Sequence, residues 1–295
     1  ILFKEFAGID GIPIVLDTQD KDEIIQTVKL LAPTFGGINL EDISAPNCFE
    51  IEAALQDLGI PVFHDDQHGT AIVLLAAIIN ACKLTGKKLS ELNVVINGAG
   101  AAGIAIAKLM RCVGQDPNVC IPVNSCLICD SKGIISRSRQ DLNMHKQRLL
   151  SFSNRRDLSG SVQDALVGAD VFIGVSKGNL LSAEDIRKMA KDPIILAMAN
   201  PTPEIFPEEA KAGGAIVVGT GRSDFPNQVN NVLAFPGIFK AALCHGFTQI
   251  TEHHKISTAH AIADHVLRPD PDHILPDPLD KTVVDSIVKA LGSTK

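Results

Sequence analysis

The chain has 295 residues, of which 45% are hydrophobic, enough for a large buried core in one or two α/β domains. Its net charge of −7 and the lack of a basic stripe exclude a nucleic-acid partner, and no signal peptide or 18-residue apolar span points to a membrane. Seven cysteines, mostly in apolar runs and with no second CxxC to complete Cys126–Cys129, read as reduced, buried thiols of a cytoplasmic protein.

The chain starts at Ile1 and contains no Trp and no Tyr. Ile1-Leu2-Phe3 reads as the inside of a strand, so the sequence is expected to be a piece of something longer. Ile12–Leu16 reads as a buried strand and Lys21–Leu31 as a helix with apolar positions Ile24, Ile25, Val28 and Leu31. Asn39-Leu40 runs into the adjacent acids Glu41 and Asp42. Phe49–Leu58 has the pattern of an amphipathic helix, and Ile60–Phe63 that of a short strand. Asp65 and Asp66 follow, with His64 and His68 on either side, and then an apolar helix over residues 70–83.

Two acids side by side at a strand end repel each other unless a cation lies near. Two such pairs, both at the ends of apolar strands, form an all-oxygen set suited to Mg2+ or Mn2+. Solvated loop acids or helix N-caps are the alternative for each pair.

A second unit begins at the strand Leu92–Ile96. It enters Asn97-Gly98-Ala99-Gly100-Ala101-Ala102-Gly103, and Ile104–Val113 continues as a helix. This is GxGxxG between a strand and a helix, where glycines allow a tight turn and the helix N-terminus faces a pyrophosphate. The strand Ser125–Cys129 ends in Asp130, placed for a ribose hydroxyl although about 30 residues past the motif instead of ~20; Gln115–Asn124 is read as a loop insertion that explains the delay. A turn-capping role for Asp130 stays open, as does contact of Lys132 or Arg137 with a 2′-phosphate. Residues 134–156 read as helical or irregular, and residues 162–166 as a short helix.

Strands over Asp170–Val175, Ile194–Ala199 and Ala215–Val218 complete the expected fold class. It is α/β, a doubly wound, Rossmann-like parallel sheet preceded by βα units that carry the acids. The expected division is residues 1–70 for the acid-bearing region, 71–268 for the nucleotide-binding domain and 269–295 for a C-terminal tail and helix. Ser223–Gly237 carries the uncharged amides Asn227, Gln228, Asn230 and Asn231, suited to a polar ligand or to Asx-capped turns. A metal site beside a dinucleotide fold points to oxidative decarboxylation of a 2-hydroxy acid, where a cation holds and polarises the 2-oxo intermediate.

The blocks GINLEDISAPNCFEIE, PVFHDDQHGTAIV, NGAGAAGIAIAKL, AMANPTPEIFPEEA and TGRSDFPNQVNNVLAFPGIF closely resemble the malic enzymes, in their shorter bacterial form, from Ile1 to about Leu267. The resemblance implies oxidation of L-malate by NAD+ or NADP+ and its decarboxylation to pyruvate with Mg2+ or Mn2+, a small-molecule substrate with no nucleic-acid or membrane partner, and a homodimer. It casts Glu41, Asp42 and Asp66 as metal ligands and Asp65 as a proton-transfer carboxylate. Gly98 to Gly103 would be the pyrophosphate loop, Asp130 the ribose acid, and Asn200 and Asn231 the amides that hold malate and the nicotinamide side. It also implies a tyrosine acid and a lysine base that these residues do not supply, Lys4 being out of register. A nucleotide-binding fragment without turnover and a metal-free dehydrogenase are the competing readings.

Overall fold

The computed structural model describes residues 1–116 and 120–293. Eleven α-helices and eight strands are found among them. The first residues form a π-helical turn over Phe3–Ala7, not a strand, and the Phe3 ring packs edge-on against Phe235 and Phe239. Ile12–Leu16 is not a strand either. Ile12, Ile14 and Val15 are exposed, and no neighbouring strand offers its backbone to this stretch. β-Branched residues favour extended backbone, but a strand also needs a pairing partner.

Helix α1 (Lys21–Leu31) starts where the Asp20 side chain accepts the backbone N–H groups of Asp22 and Glu23. It packs with α2 (Asn47–Ala54) over a parallel pair of short strands, β1 (Ile38–Leu40) and β2 (Val62–His64). A small core of Ile24, Val28, Leu40, Ile51, Leu55 and Val62 holds this layer together. Strand β2 alternates faces, so Val62 belongs to the small core and Phe63 to the main one.

Helix α3 (Asp65–Thr85) leads into the main body, which is built on β3 (Asn93–Asn97), α4 (Ala101–Met110), β4 (Ser125–Asp130), β5 (Gly133–Ile134), α5 (Met144–Leu149), α6 (Val162–Ala165), β6 (Val171–Gly174), α7 (Ala183–Ile186), β7 (Ile194–Ala197), α8 (Pro207–Ala212) and β8 (Val217–Thr220). The sheet order is β5-β4-β3-β6-β7-β8, parallel except for the edge strand β5. Successive residues face opposite layers: Val94 and Ile96 point to the α3/α4 side, Val95 to the α6–α8 side. The doubly wound sheet is therefore present, with an antiparallel edge that the sequence reading does not contain. Helices α9 (Phe235–His245), α10 (Glu252–His265) and α11 (Thr282–Gly292) pack together against the α3 face.

Two further expectations are corrected. Cys112 and Cys120 form a disulfide, with Cα atoms 5.8 Å apart at the end of α4, while Cys48, Cys82, Cys126, Cys129 and Cys244 are free. The positive φ of Cys112 brings the chain back after the helix, close enough for its partner. Part of the Gln115–Asn124 insertion lies outside the described residues. Helix α3 is 21 residues long and apolar enough, by length and composition, to cross a membrane, against the expectation of no such span. It is instead a core helix, with Ile72, Leu74 and Ile78 fully buried and its long faces against α4 and α10.

Candidate active site

Strands β1 and β2 run parallel with Leu40 opposite His64. The residues that follow each strand, Glu41-Asp42 and Asp65-Asp66, therefore leave the pair at the same edge. The second pair is not in a loop: it forms the first turn of α3, where the helix dipole favours negative charge. The backbone N–H of Asp42 donates to Asp66 Oδ2 at 2.8 Å, with Asp42 in the left-handed region at φ 58°. Glu41 lies against Asp66, and its Oε2 accepts a hydrogen bond from Asn39 Nδ2 at 2.8 Å. Loss of solvent and the Asp66 charge hold the Glu41 carboxyl above its usual range despite that bond.

Asp65 is buried, and its Oδ1 has no partner. Burial pushes its pKa up to about 8, reinforced by the charges of Glu41 and Asp66. Its other oxygen accepts a hydrogen bond from Asn231 Nδ2, across 166 positions of sequence. Gly69 makes this contact possible, since a Cβ there would stand 1.9 Å from Asp65 Oδ1 and 3.0 Å from Asn231 Cβ. His64 is fully buried with neither ring nitrogen bonded, Nδ1 being 3.9 Å from Asp66 Oδ2.

The donor chemistry at this edge, carboxylate oxygens with uncompensated charge and an orphaned buried oxygen, suits a hard divalent ion. Among the described residues, however, no three acidic, histidine or cysteine side chains are grouped as a ready metal cluster. Asp66 Oδ2 is taken by the Asp42 amide.

His68, next along α3, faces away into a separate cavity of about 440 Å³ between α2, α3, α4 and α10. Its Nε2 is 2.8 Å from Glu52 Oε1, and Lys255 Nζ donates to its Nδ1 at 3.1 Å. His68 is close to the acids in sequence, and the helical turn directs it to this network on another face.

The glycine-rich turn sits between β3 and α4. Gly98 has φ 132° and hydrogen-bonds through its N–H to Cys129 O at 2.9 Å. A Cβ on Gly98 would meet Val175 O at 2.7 Å, and one on Gly103 would meet Gly98 O at 1.7 Å. Around Gly100 there is open space, and Ala101 begins α4, so its first N–H groups face outward. Ala99, Ala101 and Ala102 leave the turn narrow and without side-chain caps.

The turn lies where the sheet order reverses, between β3 and β6. A cleft of about 410 Å³ opens there, and it contains Ala102 of the glycine turn, Thr70 of α3, Ser176, Asn200, Asn230 and Asn231. Asn200 and Asn231 thus share one cleft, and Asn231 also holds Asp65. Asn97 Nδ2 donates to Ser176 Oγ at 2.6 Å, which ties the end of β3 to the end of β6.

Asp130 lies at the end of β4, one residue beyond the partner of Asn97 and so beside the glycine turn. Its carboxylate is not free. It accepts from Arg139 Nη1 and Nη2 at 2.7 and 3.0 Å, from Lys146 Nζ at 2.6 Å and from the Lys132 backbone at 2.9 Å. Burial opposes its ionisation, but these donors outweigh burial and hold the group down at about 2. The Lys132 side chain pairs with Asp141, and Arg137 with Asp157, so the cations on Asp130 are not the two that the sequence singles out. Arg139 and Lys146 come from the segment read as polar and irregular; the excess of Arg and Lys there is the only signal that could have found them.

A family profile described as "Malic enzyme, NAD binding domain" matches residues 67–287, and one described as "Malic enzyme, N-terminal domain" matches residues 1–56. The chain is similar to the bifunctional malic/malolactic enzyme of Bacillus subtilis (strain 168), with 55% identity over 99% of this chain and 70% of that protein. It is 50% identical to the NAD-dependent malic enzyme of Geobacillus stearothermophilus, over 99% of this chain and 60% of the relative. The crystal structure of an NAD-dependent malic enzyme from Thermotoga maritima superposes with a TM-score of 0.93 at 47% identity, over 99% of this chain and 76% of that one. The chain therefore spans 70% and 60% of the length of those two curated relatives.

Proposed function

The chain belongs to the malic enzyme family, and on that premise we propose that it serves the oxidation of L-malate by NAD+ or NADP+ and its decarboxylation to pyruvate and CO2, with Mg2+ or Mn2+. One observation carries the reading. A single cleft joins the glycine turn, Asn200 and Asn231, and the Asn231–Asp65 hydrogen bond links it to the acids of α3. A hydride acceptor and a chelated hydroxy acid would then lie side by side.

In this reading residues 1–70 bring the metal ligands and residues 71–268 the coenzyme. Glu41, Asp42 and Asp66 would hold the metal ion, which when bound draws charge from the C2 oxygen and the neighbouring carboxylate of malate. Backbone N–H groups at Gly98 to Gly103 receive the pyrophosphate, and the apolar turn leaves no side chain in its way. Asn200 and Asn231 orient malate and the carboxamide side of the nicotinamide. Hydride leaves C2, and the hydroxyl proton passes to a base. The C3–C4 bond then breaks, CO2 departs with C4, and the electron pair becomes the enolate that C3 protonation converts to pyruvate. Asp65, whose pKa burial and the charges of Glu41 and Asp66 push up to about 8, would hold or pass a proton at this step. The proton-transfer tyrosine implied by the family resemblance has no counterpart in these 295 residues. A cytoplasmic homodimer acting on a small molecule completes the proposal.

The test is an assay of the purified protein with malate, Mn2+ and each coenzyme, following nicotinamide absorbance and pyruvate together. Stoichiometric formation of both, abolished by EDTA and restored by Mn2+, is expected. Undiminished activity in EDTA would mean a metal-free dehydrogenase. Coenzyme binding without turnover would mean a nucleotide-binding fragment, the reading that the missing tyrosine favours.

A further inference from the structure

Glu204 follows Asn200-Pro201-Thr202-Pro203 and is fully buried. A buried carboxylate ordinarily carries a cationic partner. Glu204 makes no salt bridge among the described residues, and no neighbouring charge offsets its burial. Its two oxygens go to two different loops. Oε1 accepts the backbone N–H of Ser176, just past β6, and Oε2 that of Ala199, just past β7, each at 3.0 Å. Its own carbonyl accepts the N–H groups of Leu180 and Leu181 at 2.8 and 3.0 Å. Space for it exists because residue 174 is glycine, where a Cβ would stand 2.2 Å from the Glu204 carboxyl carbon.

Ser176 and Ala199 both line the cleft with Asn200. The carboxylate therefore stands directly behind the two strand ends that form one wall of the cleft. Because each oxygen faces a backbone N–H, neither is free to carry a proton in that direction, so the arrangement suits the ionised form. Burial outweighs these donors and holds the Glu204 carboxyl above its ordinary range, while the two N–H bonds limit the rise. A fixed negative charge behind this wall interacts differently with the two forms of a nicotinamide: the oxidised ring is a cation and the reduced ring is neutral. Low local dielectric and the absence of a countercharge preserve the difference.

We propose that Glu204 is a positioning residue of the coenzyme cleft whose unpaired buried charge makes the cleft favour oxidised over reduced nicotinamide coenzyme. The inference rests on the assignment of this cleft to the nicotinamide. A carboxamide at 204 keeps the size and one acceptor but removes the charge.

The experiment measures dissociation constants of the oxidised and reduced coenzyme, by calorimetry and by nicotinamide fluorescence, for the full protein and for Glu204→Gln, with thermal melting of each. The expected result is about a tenfold weakening for the oxidised form with the reduced form changed about twofold or less, the scale of one charge across protein of effective dielectric ~20. A purely structural role would lower the melting temperature and weaken both forms equally, leaving their ratio unchanged; that result overturns the proposal. Should Glu204→Gln not fold, Glu204→Asp decides. It keeps the charge and shortens the reach, so both affinities should fall while their ratio stays at the wild-type value, and a shifted ratio would overturn the proposal. If the wild-type protein binds neither form, the assignment of the cleft fails as well; if it binds both and only the ratio is insensitive to position 204, the assignment stands and this inference alone is lost.

Discussion

Asp65 shows how one side chain can be costly to the fold and useful to the site. It is buried against Glu41 and Asp66, and a single amide, from Asn231, faces it. An unfolded aspartate titrates at ~3.9, whereas the folded group titrates at about 8. Between those values the folded protein keeps a proton that the unfolded chain releases. Stability in EDTA therefore falls as pH rises through that window and levels off above it. Asp65→Asn removes the titration and leaves an amide oxygen for Asn231. Urea unfolding near pH 4.5 and near pH 8.5 should show the variant gaining on wild type by at least ~1 kcal/mol at the higher pH, although activity is lost. Parallel pH dependences would remove the buried-charge account of this residue. Asp130 is the counterexample at the same scale: it stands where a ribose acid is expected, but Arg139, Lys146 and the Lys132 amide already occupy its oxygens.

At the scale of elements, α3 carries both the site and the core. Its first turn holds Asp65 and Asp66, its Gly69 leaves room for their contact with Asn231, and its remainder is buried against α4 and α10. In most helices Gly→Ala stabilises by roughly 1 kcal/mol. At position 69 the new methyl would strike Asp65 Oδ1 and Asn231 Cβ. Gly69→Ala should lower kcat by about 100-fold, the cost typical of a ~1 Å misplacement. A loss confined to melting temperature, with kcat intact, would show that the site tolerates the shift. Helix α3, the glycine turn and the order of strands and helices were legible because a long apolar run, alternating strand and helix patterns and the Gly98–Gly103 motif are local signals. Three features were not. Ile12–Leu16 has strand composition without a partner, the short edge strand β5 pairs only through Cys129 with Ile134 and Asp130 with Gly133, and the Arg139 and Lys146 grip on Asp130 depends on how a polar segment folds back. Pairing of this kind is a tertiary outcome that no window of sequence encodes.

Across the whole molecule the acids fall on two bodies. Glu41 and Asp42 extend from β1, which belongs to the small core of Ile24, Ile51 and Leu55, while Asp65 and Asp66 start the helix that anchors the main core. Side-chain bonds cross between them: the Asp42 amide to Asp66, Gln67 and His68 of α3 to Glu52 of α2, and Gln249 to the Gln56 carbonyl. A divalent ion shared by Glu41, Asp42 and Asp66 would be a cross-link, and its binding free energy would appear as stability of the small body. Saturating Mn2+, at ~100 times its Kd, should stabilise the protein by about 2.7 kcal/mol relative to EDTA. Hydrogen exchange should slow mainly over residues 38–58 and the first turn of α3, with β6–β8 unchanged. Glu41→Gln and Asp66→Asn should each remove both effects, even though they relieve charge repulsion and stabilise the metal-free protein. An ion held loosely at the acidic surface would change melting slightly and leave no local exchange signature. Exchange over residues 38–58 that is identical in Mn2+ and EDTA would therefore count against these acids as a shared site, whatever the enzyme assay shows.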